Sequence, residues 1–225
     1  SGDLNVGSNL YVSERLDVGS NLHIENLRTA EFAANLVTYD STTGELMDSA
    51  GLFSNKLAVV SEQPPIALTG ASTVVTNNGT YIIEASSLFS GSQVYYLFDK
   101  SNSTAWVTKQ LYDTTDGTYD GSASLAGYSG EWAKITMPYK NILRHVVIDS
   151  KNDSIKNIKL VGLNADGITW TTLKSVTSLT GDKHTILVNS TTHHKTYGLI
   201  VEDTNNGKTQ AEIWDLRLFT ESFSI

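Results

Sequence analysis

The sequence contains no cysteine, only three prolines and no long apolar run. Without cysteine, the chain can form neither disulfide bonds nor a zinc site built on thiolates. Without an apolar stretch of about 20 residues, it has no candidate transmembrane helix. We therefore expect a domain held together by its own core and by assembly, with no membrane insertion.

Charged residues are also scarce. They make up 18% of the chain, the formal net charge is −8, and lysine and arginine form no cluster. A negative surface gives no attraction for phosphate groups, so nucleic-acid binding is not expected.

The residues that are abundant favour an all-β fold. Hydrophobic residues make up 40% of the chain, among many serines, threonines, asparagines and glycines, a balance that suits strands joined by polar turns. Short β-type runs follow one another after residue 70, at the spacing of a sandwich or jelly roll. They read STVV, TYIIEAS, QVYYLF, AWVTKQLY, EWAKITM, ILRHVVIDS, IKNIKLVGL, TWTTLKSV, KHTILVNS, TYGLIVED and EIWDLRLF.

The beginning of the chain contains an internal repeat. LNVGSNLYV at 4–12 and LDVGSNLHI at 16–24 agree at six of nine positions. The apolar residues alternate around a Gly-Ser-Asn turn, as in short strands with one apolar face. Two such units are too small for a core, so we expect residues 1–36 to be a β-repeat stalk that trimerises. A hairpin folded back on the following domain is the alternative.

The remaining chain divides at its prolines. Residues 37–70 predict a neck, with a strand, a turn and a second strand in LVTYDSTTGEL, and Pro64-Pro65 marks its extended end. Residues 71–225 predict the β-sandwich head.

Five motifs in the head resemble those of the discoidin, or coagulation factor type C, family of galactose-binding-like domains. They are GTYIIEASS at 79–87, LFDKSNSTAW at 97–106, GEWAKITMP at 130–138, LNADGITWTTL at 163–173 and IWDLRLF at 213–219. The resemblance implies a discoidin-like jelly-roll head. Three positions depart from the family pattern: Lys100 replaces the usual glycine, Asp215 the usual glutamate, and Ala165 the usual residue before Asp-Gly.

A looser resemblance covers the whole order of segments. A β-repeat stalk, then YDSTTGEL, then PPIALT, then this head is similar to fibre-like proteins of large DNA viruses that infect algae. Phage tail fibres and bacterial trimeric adhesins are close alternatives. This resemblance implies a protein of the virion surface or of another extracellular setting.

The discoidin resemblance also implies a structural calcium site. Calcium takes six to eight oxygen ligands, which a tight turn can supply as carbonyls and carboxylates. The residues expected to supply them are Leu97, Asp99, Ser101, Thr104, Trp214 and Asp215. The alternative is that Asp99 only caps its turn by accepting hydrogen bonds from backbone amides.

A polar and aromatic loop is the candidate carbohydrate site. Pyranose rings present apolar C–H patches and hydroxyls, so sugar sites pair flat aromatic rings with hydrogen-bonding side chains. The loop LYDTTDGTYDGSASLAGYSG offers both kinds, in Tyr112, Asp113, Asp116, Tyr119, Asp120 and Tyr128. Burial of individual tyrosines at strand ends is the alternative, and we expect the four tryptophans to be packing residues.

Enzyme motifs give no candidate active site. The chain has no G-x-S-x-G, no H-E-x-x-H and no complete phosphate loop. Asp113 with Asp116, or Glu202 with Asp203, could serve a glycosidase only if the fold set their separation. The sequence therefore predicts no enzyme. It predicts an attachment module that binds cell-surface glycan through a discoidin-like head and gains strength from trimerisation. The alternative is a purely structural fibre or capsid decoration protein. Membrane contact through apolar loop residues is disfavoured by the negative charge.

Overall fold

The computed structural model describes residues 37–40, 45–48 and 59–222, except 189 and 206. The stalk predicted for residues 1–36 lies outside these residues, so its strands and its trimerisation stay predictions. The chain divides into two compact units, 1–55 and 56–225. Within the described residues, no helix combines the length and the apolar character needed to cross a bilayer.

The first unit contains one hairpin. Strand β1 (Val37–Asp40) pairs antiparallel with β2 (Glu45–Asp48), with Val37 opposite Asp48 and Asp40 opposite Glu45. The strand, turn and strand predicted for this segment are confirmed.

The second unit is built almost entirely of strands, with one short 3-10 helix, η1, at Val94–Phe98. Its strands are β3 (Val59–Gln63), β4 (Ser72–Val75), β5 (Gly79–Ala85), β6 (Trp106–Val107), β7 (Ser124–Leu125), β8 (Tyr128–Ser129), β9 (Glu131–Ser150), β10 (Asn157–Leu163), β11 (Trp170–Val176), β12 (Lys183–Leu187), β13 (His194–Asp203) and β14 (Glu212–Ser222).

Two antiparallel sheets form the layers of a sandwich. The first sheet has the strand order β11–β10–β13–β9–β5–β4, and the second has the order β12–β9–β14–β3, with β6 also paired to β14. A small internal cavity is lined from both layers, for example by Ile135 and Leu218. The sheets therefore pack face to face, and the predicted all-β sandwich is confirmed.

Strand β9 belongs to both sheets. Residues 131–136 pair with β13 and β5, whereas residues 142–150 pair with β14 and β12. Pro138 lies between the two paired halves, where the N–H that proline lacks is not needed. The sequence predicts two separate strands here, and the structure joins them into one.

Alternation of apolar residues produces the core. In β5, Tyr81 and Ile83 are buried while their neighbours Thr80 and Ile82 are exposed, as expected for a strand with one face on the core. The same period of two recurs along both halves of β9.

Three expectations about the elements are corrected. QVYYLF is a 3-10 helix, because Val94, Leu97 and Phe98 are buried together at helical spacing. The predicted strand AWVTKQLY shrinks to Trp106–Val107. Strand β3 pairs with β14, so the sandwich includes residues that the sequence assigned to the neck.

Candidate functional site

A surface cleft of about 380 Å³ lies where the turn after η1 meets β14. Its lining combines acidic, basic and amide side chains with one indole. The lining residues are Glu62, Lys100, Ser101, Asn102, Asp149, Lys183, Trp214, Asp215 and Arg217. The turn that contains Asp99 and the strand that contains Asp215 are therefore spatial neighbours, as the sequence predicts.

Register and strand period explain why charged side chains converge here. Lys183 pairs with Asp149, and Asp149 pairs with Asp215, in one row across β12, β9 and β14. Arg217 follows Asp215 by two residues, so both side chains leave β14 on the same face.

A β-bulge brings the indole to this face. Ile213 pairs with Ser150 and Asp215 pairs with Asp149, so β14 has one extra residue, Trp214, between the two pairs. Trp214 is half-buried rather than a fully packed core residue, and the Lys151 ammonium lies 5.4 Å from its ring centroid. Trp132 and Trp170 are also half-buried, so among the four tryptophans full burial is confirmed only for Trp106.

Three ion pairs line the cleft. Lys100 pairs with Glu62, Lys183 pairs with Asp149 over 3.1 Å, and Arg217 Nε lies 2.9 Å from Asp215 Oδ2. Each cation is matched by one carboxylate, so the lining carries no net charge.

The pair at β14 is close but not aligned. Although Arg217 Nε is 2.9 Å from Asp215 Oδ2, its N–H does not point at that oxygen, and Arg217 Nε and Asp215 Oδ1 are both buried without a hydrogen-bond partner among the described residues. Burial raises the pKa of the Asp215 carboxyl, and the charges of Glu62 and Asp149 add to this, whereas Arg217 and Lys100 oppose it. A donor and an acceptor are therefore both unsatisfied on one wall of the cleft.

The residues expected to bind calcium are only partly brought together. Ser101, Trp214 and Asp215 line the cleft, whereas Leu97 is fully buried in the core. Asp99 accepts hydrogen bonds from Ser101 N (2.9 Å, Oδ1) and from the Thr104 hydroxyl (2.6 Å, Oδ2), which is the capping arrangement given above as the alternative.

This donor set does not fit a calcium ion. Calcium needs six to eight oxygens, but the cleft contains two ammonium groups and a guanidinium, each already beside a carboxylate. In the part of the chain that the structure describes, His, Cys, Asp and Glu side chains form no group of three that could hold a metal. Calcium binding stays a prediction of the resemblance alone.

The predicted carbohydrate loop is anchored by its first tyrosine. Tyr112 is only 4% exposed, and its hydroxyl donates to Val201 O over 2.8 Å. Its ring packs 5.2 Å from the ring of half-buried Tyr119, which donates to Glu131 over 3.3 Å. Tyr112 has no face for a sugar, and this assignment is corrected to a structural role.

The loop carboxylates mainly shape turns. Asp113 Oδ1 accepts from Thr115 N over 2.6 Å, and Asp116 Oδ1 accepts from the backbone and the hydroxyl of Thr118. These two bonds lower the pKa of Asp116. Asp116 and Asp120 are exposed at this end of the sandwich.

Tyr128 lies elsewhere, on the outer face of the first sheet. Its hydroxyl is 2.8 Å from the Thr172 hydroxyl, and the Lys159 ammonium is 5.4 Å from its ring centroid. The six predicted residues therefore do not converge on one site.

Two important groups were missed in the sequence. Arg217 alternates with Asp215 in IWDLRLF, so the period of two could have placed both on one face. Glu131 is fully buried and accepts hydrogen bonds from Ser86, Ser87 and Tyr119. No local pattern marks it, because its donors come from other parts of the chain.

No family model matches the chain, and no curated protein matches it in sequence. Three solved structures illustrate what the chain is similar to. Chitosan-binding module 1 of a chitosanase/glucanase from Paenibacillus sp. IK-5 is 16% identical, with 60% of this chain and 92% of that chain covered and a TM-score of 0.47.

The family 32 CBM from C. perfringens NanJ, solved with galactose, is 15% identical, with 62% and 93% covered and a TM-score of 0.48. A GH29 fucosidase from Ruminococcus gnavus, solved with fucose, is 19% identical, with 63% of this chain and 25% of that chain covered and a TM-score of 0.47. At these identities the similarity concerns the fold and not the ligand.

Proposed function

We propose that this chain is a carbohydrate-binding attachment module whose sugar site is the cleft beside β14. The observation that carries the proposal is the pair of unsatisfied atoms, Arg217 Nε and Asp215 Oδ1, on the wall of that cleft. A sugar hydroxyl both donates and accepts hydrogen bonds, so neighbouring hydroxyls of one pyranose can satisfy both atoms.

The indole supplies the second element of a sugar site. Half-buried Trp214 lines the same cleft, and an aromatic face suits the C–H patch of a pyranose. A volume of about 380 Å³ falls within the usual range of ligand pockets, which begins at roughly 300 Å³. We therefore place one or two sugar rings in the cleft.

The charges of the cleft indicate the class of glycan. The ion-paired lining is neutral and the whole chain carries −8, so no field attracts an acidic sugar. Neutral, hydroxyl-rich glycans are the proposed ligands. The loop with exposed Asp116 and Asp120 remains a second proposed contact surface.

Attachment follows from the combination with the repeat at 4–24. Each head binds weakly, and trimerisation through residues 1–36 would raise the effective concentration of sites. We place the protein on a virion surface or in another extracellular setting, with host-surface glycan as its partner and no enzymatic activity.

A glycan array probed with the full chain tests the proposal, with calorimetry on the ligands that bind. The control set compares Asp215→Asn with Asp116→Asn. Loss of binding only in Asp215→Asn supports the cleft, whereas loss only in Asp116→Asn places the site on the loop. No binding by a folded full chain on a broad array would favour a structural fibre or decoration protein.

A further inference from the structure

Lys100 holds a backbone conformation that lysine rarely adopts. Its φ is +55°, in the left-handed region where a Cβ is disfavoured and glycine is preferred. The turn therefore tolerates an unfavourable backbone at the residue that carries the ammonium group.

The side chain of Lys100 joins separate parts of the fold. Its ammonium forms an ion pair with Glu62 of β3, and both side chains are about two-thirds shielded from solvent, with exposures of 32% and 28%. The same ammonium acts electrostatically on Asp215 of β14. One positive charge thus serves the turn and two strands, and partial shielding strengthens such a contact.

We propose that the Lys100 ammonium is a built-in cation that positions the 99–104 turn against β3 and β14, in the place where calcium was expected. The cleft then keeps its shape without a divalent ion. The inference goes beyond glycan binding, because it concerns what holds the cleft together.

Charge counting gives the consequence of removing this group. The lining has three carboxylates and three cations, so loss of Lys100 leaves a net charge of −1 and frees Glu62 beside Asp215. Carboxylates with the nearby turn carbonyls are ligands that calcium accepts. A chain without the ammonium should therefore acquire calcium affinity.

The test uses the full chain with Lys100→Gly, which also relieves the backbone. Melting temperature and terbium luminescence sensitised by Trp214 are measured in EDTA and in millimolar calcium. Lys183→Met, which removes the other cleft lysine, is the matched control. Lys100→Met removes the charge while keeping a Cβ, so it covers the case in which the glycine variant does not fold.

The native chain and Lys183→Met should show no calcium response, whereas Lys100→Gly should gain about 3–6 °C in melting temperature with millimolar calcium and show terbium luminescence. Calcium stabilisation of the native chain would overturn the inference, as would the absence of any calcium response in both Lys100 variants. Neither readout involves a glycan, so a failure of the proposed function leaves this result unaffected.

Discussion

Ser87 donates its hydroxyl to the carboxylate of Glu131 over 2.7 Å, at a point where Glu131 has no exposed surface. Ser86 and Tyr119 also donate to this carboxylate. Hydrogen bonds to a charged group are stronger than neutral ones, and they are needed when the group is buried. Glu131 therefore ties the residues after β5 and the 112–120 loop to the start of β9.

Glu131→Gln should destabilise the fold by about 1–3 kcal/mol, because the amide nitrogen places a donor where hydroxyl donors converge. Urea unfolding measures the change. Glu84→Gln, which alters an exposed surface ion pair with Lys134, should cost less than about 1 kcal/mol. Equal effects of the two substitutions would mean that the buried network has no special role.

Arg217→Met should weaken glycan binding by about tenfold or more, because it removes a donor that only the ligand can satisfy. Asp215→Asn should have a similar effect through loss of the acceptor charge. Calorimetry with a glycan that binds the native chain measures both. Unchanged affinity in both variants, with native circular dichroism, would move the site away from the cleft.

Thr104→Val should destabilise the turn by about 1 kcal/mol, because Asp99 Oδ2 loses its 2.6 Å hydrogen bond. Thr104→Ser keeps the hydroxyl and is the control. Thermal unfolding of the three chains separates the hydroxyl from the methyl group. If the serine variant were as unstable as the valine variant, methyl packing would be the cause.

The fold should fail in alkali between pH 10 and 12. Burial raises the pKa of Tyr81 from 10.0 to about 12, with a contribution from Tyr139, and burial also raises the pKa values of Tyr112 and Tyr197. In this interval the unfolded chain loses protons that the folded chain keeps. The stabilisation is therefore complete below pH 10 and is lost as the pH rises toward 12.

Tyrosinate absorbance and circular dichroism, recorded together, should show late ionisation coinciding with loss of structure. Full ionisation near pH 10 in a chain that remains folded would contradict the assignment of these tyrosines to the core.

Strand alternation made most of the sandwich predictable. Runs such as TYIIEAS and TYGLIVED carry a period of two that survives in β5 and β13. The helix at Val94–Phe98 was not predictable in this way, because its aromatic and branched residues favour strands and only tertiary packing makes them helical.

The site was predictable only in outline. The motifs around Asp99 and Asp215 correctly indicate that turn and strand meet. The bulge at Trp214 depends on register, and the burial of Tyr112 depends on a backbone carbonyl 89 residues away. Neither relationship leaves a local pattern, so the sequence overestimated the loop and underestimated the cleft.

The passage of β9 through both layers has a consequence for how the domain loses its structure. Twenty consecutive residues form this strand, so disrupting one layer breaks the continuous strand on which the other is assembled. Neither layer is an independent foldon, and hydrogen exchange along β9 should report a single global opening rather than two.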